Sequence, residues 1–350
     1  MSTRTPLVSI LVPAYNAARF LPGLCQSIQA QTYPHYEVLI GDDGSNDNTV
    51  SVLAPFLQDN RFKLVRWQPN RGLGRNMAIL YTATSGDYWC CTGADDLFLP
   101  SFLEKRVEVM EANPQAFLVH GRPELINESG GPAQSDCRLL DFPERLGLPR
   151  SLEVLLQHDV INAPSVLVRT SITRQVLPFF HWEWEYAADW FFWILHAATG
   201  FDLLWDGRRL SKYRIHASSL SSTPEKFHLR RAEDRLMPLV ALRTAAQYSQ
   251  WAALSWSQWG RTLYWRWLRQ AVALKSRGGL RDEWIQVAAH AYYGAKGRRV
   301  SLWGELAKHL VGLIAADLRH RRALKRQSFT VSGLAQIDDP VFRRTSPIEQ

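Results

Sequence analysis

Apolar and polar positions alternate in blocks along the first hundred residues, and the period of each block names an element. "LVSILVPAY" is a β-rich run that ends at Pro13, and "AARFLPGLCQSIQAQ" places Phe20, Leu21, Leu24 and Ile28 on one helical face. "YEVLIGDDGS" is a buried strand running into a turn, and "NDNTVSVLAPFL" opens with Asn and Asp residues suited to capping a helix. "RFKLVRW" then predicts a third strand, "GRNMAILYTAT" a helix and "GDYWCCTG" a fourth strand. Strand and helix in strict alternation predict an α/β fold with a mostly parallel central sheet and right-handed crossovers. In such sheets ligands bind beyond the carboxyl ends of the strands.

Residues 113–222 are less regular. "AFLVHG" and "SVLVRT" read as strands, "DWFFWILHAAT" as a helix and "LSKYRIH" as a final strand. After Pro224 the chain turns to helices rich in Arg and Trp, and the tail beyond Gln327 reads as loosely ordered.

Composition narrows the class. With 350 residues and 46% apolar content the chain is globular and long enough for one large domain or two ordinary ones. Its four cysteines, Cys25, Cys90, Cys91 and Cys137, have neither zinc spacing nor a disulfide framework, which fits a reducing cytoplasm. The N-terminus does not resemble a signal peptide, and no apolar run reaches membrane-spanning length. The net charge of +8 is unevenly placed: from Lys226 onward there are 22 Lys/Arg against 9 Asp/Glu, and before it 19 against 24. A basic end of this kind points to an anionic surface as partner. No nucleic-acid-binding module accompanies it.

Two acidic pairs carry the candidate chemistry. Asp42 and Asp43 close the second strand and Asp95 and Asp96 follow the fourth, so a parallel sheet brings both pairs to one edge. Turn formers such as those of "GDDGSNDNT" need no ligand to be explained. Their coincidence with a second acidic pair, a basic "NRGLGRN" loop and a distant acid in "AADWFFW" changes the balance. Carboxylates that accept from a base N–H or a ribose hydroxyl, arginines that meet phosphate, and a hard cation bridging carboxylate and diphosphate together suit a nucleotide-diphosphate site.

From about Pro6 to Ser222 the chain resembles a family 2 glycosyltransferase of the GT-A fold, on "SILVPAYNAARFLPGLCQSIQAQTYPHYEVLIGDDGSNDNT", "NRGLGRN", "SGDYWCCTGADDLFLPSFLE", "INAPSVLVR", "AADWFFWILHAATG" and "LSKYRIHASSLS". The resemblance implies an inverting transferase that moves one sugar from a nucleotide-diphosphate sugar to a hydroxyl of a glycan or lipid-linked glycan in cell-surface polysaccharide biosynthesis. It places Pro13, Ala14, Tyr15, Asp42, Asp43, Arg75 and Asp95 at the nucleotide, with Asp43 holding the base. Asp95 takes the position of the last acid of the family's DxD motif and, with His216, would hold Mg²⁺ or Mn²⁺. Asp189 corresponds to the general base, Asp96 and Arg214 support the sugar or the loop, and Tyr213 belongs to the closing segment. Implied boundaries are a GT-A domain over 1–222, in which residues 1–112 bind the nucleotide and residues 113–222 the acceptor, a basic helical region over 223–327 and a tail over 328–350.

The sequence departs from the family pattern in three ways. Gly93 stands where the first acid of the DxD motif belongs, Ala188 replaces the Glu beside the base, and the "NRGLGRN" loop is short. Lost acids motivate an alternative, a catalytically degenerate protein that binds nucleotide sugar or a membrane surface. Trp182, Trp184, Trp190 and Trp193 are candidates for an acceptor platform or for core. In the basic region Trp256, Trp259, Leu263, Trp267 and Leu274 form a stripe interleaved with Arg261, Arg266, Arg269 and Lys275, which suits a membrane interface. Expected localisation is cytoplasmic, peripheral on the inner face of the cytoplasmic membrane. The absence of a QxxRW-like segment argues against a processive synthase, and "GLGRN" lacks the glycine spacing of a dinucleotide-binding turn.

Overall fold

A computed structural model of the protein describes residues 4–133, 143–180, 186–217, 227–250 and 252. The first part of the chain alternates as expected: β1 (Val8–Ala14), α1 (Leu21–Gln29), β2 (Tyr36–Asp43), α2 (Thr49–Leu53), β3 (Phe62–Trp67), α3 (Leu73–Ala83) and β4 (Tyr88–Cys91). There follow β5 (Leu97–Phe98), α4 (Phe102–Ala112), β6 (Ala116–His120), β7 (Glu124–Ile126), β8 (Arg145–Leu146), α5 (Arg150–Gln157), β9 (Leu167–Arg169) and α6 (Thr170–Val176). The chain continues through α7 (Ala188–Ala197), β10 (Asp202–Trp205), β11 (Ser211–Arg214) and α8 (Phe227–Ala245).

Among the described residues the central sheet has the order β3-β2-β1-β4-β9-β6-β10-β8. β1 to β4 are mutually parallel, β9 runs against both its neighbours, and β6 and β10 are parallel to each other. The carboxyl ends of β1, β2, β4, β6 and β10 therefore share one edge. The strand expected at "LSKYRIH" lies outside this sheet: β11 joins a small second sheet of order β5-β11-β7. That sheet sits directly after the Asp95–Asp96 turn in the chain.

Two expectations change on contact with the structure. β1 does not stop at Pro13 but continues to Ala14, paired with β2; β4 pairs only with Val8–Leu11, so Pro13 falls where one side of the ladder has already ended. The helix expected over "NDNTVSVLAPFL" is only five residues long. Pro55 has no N–H for the Ser51 carbonyl, which instead accepts from Ala54 at 3.3 Å in a tighter turn, and a separate 3₁₀ turn follows at Phe56–Gln58. Finally, the packing of the described residues runs on past residue 222. Leu236, Met237, Leu239 and Val240 of α8 share one core with α7 and α5. The Trp/Arg stripe from Trp256, the tail, Cys137, Trp182 and Trp184 lie outside the described residues.

α7 is apolar on all sides and is buried on all sides from Trp190 to Ala197. Trp193 stacks on Trp89 at 6.0 Å, and Phe192 meets Tyr81 at 4.8 Å, which makes Trp190 and Trp193 core rather than an acceptor platform. Fully burying each such side chain is worth roughly 1.5–3 kcal/mol. The buried polar groups here form a chain: Trp89 Nε1 donates to Thr173 Oγ1 at 2.7 Å, and Thr173 Oγ1 lies 2.9 Å from His196 Nε2. Since His196 Nδ1 faces the Phe192 carbonyl at 2.8 Å and must donate to it, Nε2 is the acceptor, and burial pushes the imidazole down to about 4.

A second buried group braces the far half of the sheet. Arg106 of α4 is completely buried and donates to Asp206, just past β10, at 2.8 Å; burial lowers its guanidinium to about 10 despite that partner. Asp206 also receives Arg208 at 2.6 Å. Asp206→Ala would strand the Arg106 charge, and we expect a loss of about 3–5 kcal/mol in denaturant unfolding. A change under about 1 kcal/mol would show that the pair does not brace this region.

Candidate functional site

The site begins with two loops that fasten each other. Asn16, in the left-handed region at φ 49°, follows the end of β1, and its Oδ1 accepts from Asn46 N at 2.9 Å. In return Asn16 N donates to Ser45 Oγ at 2.8 Å, Ala17 N to Thr49 Oγ1 at 2.8 Å and Ala18 N to Asp47 Oδ2 at 3.1 Å. Asp42, fully buried, accepts from Ser45 N at 3.2 Å and pairs with Arg66 Nε at 3.1 Å. Much of "GDDGSNDNT" is thus occupied in joining the loop after β2 to the loop after β1. This junction holds Tyr15 outward, 49% exposed at the ligand edge.

Asp43 faces the next loop. Its Oδ1 accepts from Trp67 Nε1 at 2.6 Å and Arg71 N at 2.7 Å, and its Oδ2 from Gly72 N at 2.8 Å. The residue expected to hold a base therefore shapes the "NRG" turn with its own carboxylate and is itself buried. Asn76, one residue past Arg75, donates to the Gly41 carbonyl at 2.8 Å, anchoring α3 to β2. Only glycine fits at 41, since a Cβ there would collide with Asn76 Oδ1. Arg75 itself is exposed on the first turn of α3.

The second acidic pair sits in the turn between β4 and β5. Asp96 is buried, and its Oδ1 accepts from Arg214 N at 2.8 Å. Burial, and then repulsion from Asp95, push its carboxyl well above the usual carboxylate range. Arg214 fastens the turn: Nε donates to the Asp95 carbonyl at 2.7 Å, and Nη1 to the carbonyls of Asn127 and Glu128, both at 3.0 Å. Asp95 keeps its carboxylate toward solvent, 28% exposed, with His216 Nε2 2.8 Å from its Oδ2. Gly93 lies beneath both acids; a Cβ there would meet Asp95 Oδ1 at 2.5 Å and Asp96 Oδ2 at 3.0 Å. The two carboxylates occupy the space over Gly93, so any side chain at 93 requires both to shift.

Among the described residues no three His, Cys, Asp or Glu side chains are grouped to enclose a metal ion. One partly exposed carboxylate with a neighbouring imidazole instead fits a hard cation that takes its remaining ligands from diphosphate oxygens and water.

Asp189 reaches the same edge from the other half of the domain. It lies in the first turn of α7 and accepts from Trp190 N at 2.8 Å, while Trp190 Nε1 donates to the Leu155 carbonyl at 2.6 Å. The positive end of the helix favours its ionised form. Burial raises the Cys91 thiol, and the carboxylates of Asp189 and Asp96 raise it further. The structure joins Asp95, Asp96, Arg214 and His216 by direct hydrogen bonds, and it sets Asp189 in the first turn of α7.

The resemblance named Arg214 as support for the sugar or the loop but not its carbonyl partners, and sequence reasoning did not find the Asn16 junction or the place of Phe20, whose ring lies 5.0 Å from His216. Their partners stand dozens of residues apart in the chain, and no spacing rule links them.

This architecture and site define a glycosyltransferase of the GT-A fold. TarS of S. aureus in complex with UDP-GlcNAc superposes with a TM-score of 0.55 at 15% identity, covering 93% of this chain and 95% of that one. The mannosyltransferase PcManGT from Pyrobaculum calidifontis, in complex with GDP-Man and Mn²⁺, gives a TM-score of 0.52 at 17% identity, over 91% and 87%. In sequence, the Escherichia coli UDP-Glc:alpha-D-GlcNAc-diphosphoundecaprenol beta-1,3-glucosyltransferase WfgD is 30% identical over 238 residues, 67% of this chain and 87% of WfgD. Residues 9–160 match the family model for glycosyl transferase family 2, and the chain belongs to that family.

Asp43→Ala would leave Trp67 Nε1 and the N–H groups of Arg71 and Gly72 without their acceptor. We expect a loss of about 2–4 kcal/mol in denaturant unfolding and a changed Trp67 environment in tryptophan emission. Wild-type stability in this variant would show that the turn holds without Asp43.

Proposed function

We propose that the protein is an inverting glycosyltransferase that moves one sugar from a nucleotide-diphosphate sugar to a hydroxyl of a glycan or lipid-linked glycan acceptor in cell-surface polysaccharide synthesis. The observation that carries this reading is the Asp95–His216 pair, 2.8 Å apart in a turn that Arg214 fastens at the ligand edge. Uridine is the first nucleotide to test, since WfgD is named for UDP-Glc and TarS was solved with UDP-GlcNAc. An acceptor on a lipid diphosphate follows the name of WfgD.

In this reading Tyr15 lies against the base, with Pro13 and Ala14 beneath it and the Asp42 and Asp43 loops setting the pocket wall. Asp95 and His216 would hold Mg²⁺ or Mn²⁺, which when bound supplies charge neutralisation to the departing diphosphate. Asp96 and Arg214 keep the Asp95 carboxylate aimed at the site. Asp189 takes the proton from the acceptor hydroxyl, whose oxygen forms a bond to the anomeric carbon as the bond to the diphosphate oxygen breaks on the opposite face. Positioned proton transfer of this kind contributes about 10²–10⁴-fold. No helix among the described residues is long and apolar enough to cross a membrane.

Asp189→Asn tests the assignment. Transfer, followed as nucleotide release with UDP-sugars and a polyprenyl-diphosphate glycan, should fall about 10²–10⁴-fold while UDP binding in Mn²⁺ stays within about twofold. Full turnover in Asp189→Asn removes that residue from the role. Nucleotide binding without turnover in the wild type would favour a degenerate binding protein. The metal assignment is read separately: Asp95→Ala should abolish the Mn²⁺-dependent component of the UDP thermal shift, and an unchanged shift would place the cation elsewhere.

A further inference from the structure

Phe20, immediately before α1, has two guanidinium groups near its ring. Arg214 lies 5.0 Å from the ring centroid and Arg19 4.9 Å, and the His216 ring is also 5.0 Å away, itself 2.8 Å from Asp95. The two arginines are held in opposite ways. Arg214 is buried and committed through Nε and Nη1 to three backbone carbonyls, so it has a fixed structural duty. Arg19 is 66% exposed, and its hydrogen-bonding partner is the side chain of Glu128, 48% exposed, in the turn after β7.

Glu128 is displayed on a rigid turn. Asn127 Oδ1 accepts from Ser129 N at 3.0 Å, Ser129 Oγ at 2.8 Å and Gly131 N at 3.0 Å, and Asn127 N donates to the Gly131 carbonyl at 2.8 Å. Arg214 clamps the carbonyls of Asn127 and Glu128 from below. The turn cannot follow Arg19, so Arg19 is the member of the pair that moves. An ion pair this exposed is a weak restraint, and a group bearing more than one negative charge displaces a single carboxylate readily.

We propose that Arg19 and Glu128 form a latch between the nucleotide half and the acceptor half of the site. Arg19 leaves Glu128 to bind a diphosphate group that arrives beside the Asp95–His216 pair. The inference rests on the transferase reading for the placement of the diphosphate. That diphosphate belongs either to the sugar donor or to a lipid-linked acceptor, and the two sources can be told apart.

The test uses the full chain in four forms: wild type, Arg19→Ala, Glu128→Gln and the double variant. One arm titrates UDP in Mn²⁺; the other titrates phosphatidylcholine vesicles doped with a polyprenyl diphosphate. In the arm that supplies the diphosphate, Arg19→Ala should weaken binding about tenfold or more. Glu128→Gln should tighten it about threefold, and that gain should vanish in the Arg19→Ala background. The pattern in the UDP arm identifies the donor; the pattern in the vesicle arm identifies the acceptor. No Arg19 dependence in either arm, or a Glu128→Gln effect that persists without Arg19, overturns the latch. If the wild type binds no nucleotide at all, the transferase reading fails, and the latch is decided by the vesicle arm alone.

Discussion

Two carboxylates on adjacent residues repel each other, and the turn after β4 holds them side by side. Burying Asp96 raises the penalty on its charge, and the fold answers with a strand from far along the chain. β11 pairs with β5 through Ser211–Phe98 and Lys212–Leu97. One step further along the same strand, Arg214 N donates to the Asp96 side chain, so a carboxylate takes the place of the next backbone carbonyl in the ladder. The Arg214 guanidinium then closes on the Asp95 carbonyl and on the turn after β7. Strand pairing, counter-charge and loop shape are therefore one interaction. The exposed Asp95 carboxylate depends on all three.

The elements with local causes were legible in the sequence. The first four strands and their helices announce themselves by period, and the rule that parallel strands share a ligand edge correctly joins Asp42–Asp43 to the turn at Asp95 and Asp96. What the residue types at "GDDGSNDNT" could not disclose is their division of labour. Ser45, Asn46, Asp47 and Thr49 meet backbone groups of the loop after β1, and Asp43 meets a tryptophan and two amides beyond β3. A polar turn looks the same in sequence whether it binds a ligand or another loop. Only the neighbour decides.

The packing of α8 was hidden from length and composition for a related reason. The change of character after Pro224 is real in composition, yet α8 turns its apolar residues onto α7 and α5. α7 is apolar around its whole circumference, and a helix of that kind needs cover on every side. Some of that cover is α8. Along the sequence, charged residues stand among the apolar ones that α8 buries, which hides the packed set from any count made along the chain.

The same packing sets what can move in the site. Asp189 projects from the first turn of a helix whose remaining residues are buried, so its carboxylate inherits the rigidity of the core. Asp96 is immobilised by a strand, and Asp43 by the turn it shapes. In the proposed reading a misplacement of about 1 Å at such acids costs on the order of 10²-fold in rate, so rigidity suits them. Substrate entry imposes the opposite requirement, since a diphosphate must shed water and find cationic partners on arrival. Arg19, long, exposed and held by a single exposed carboxylate, meets that requirement without disturbing the acids. The fold thus separates the groups that must stay still from the one that has to yield, and places Phe20 near both Arg19 and Arg214.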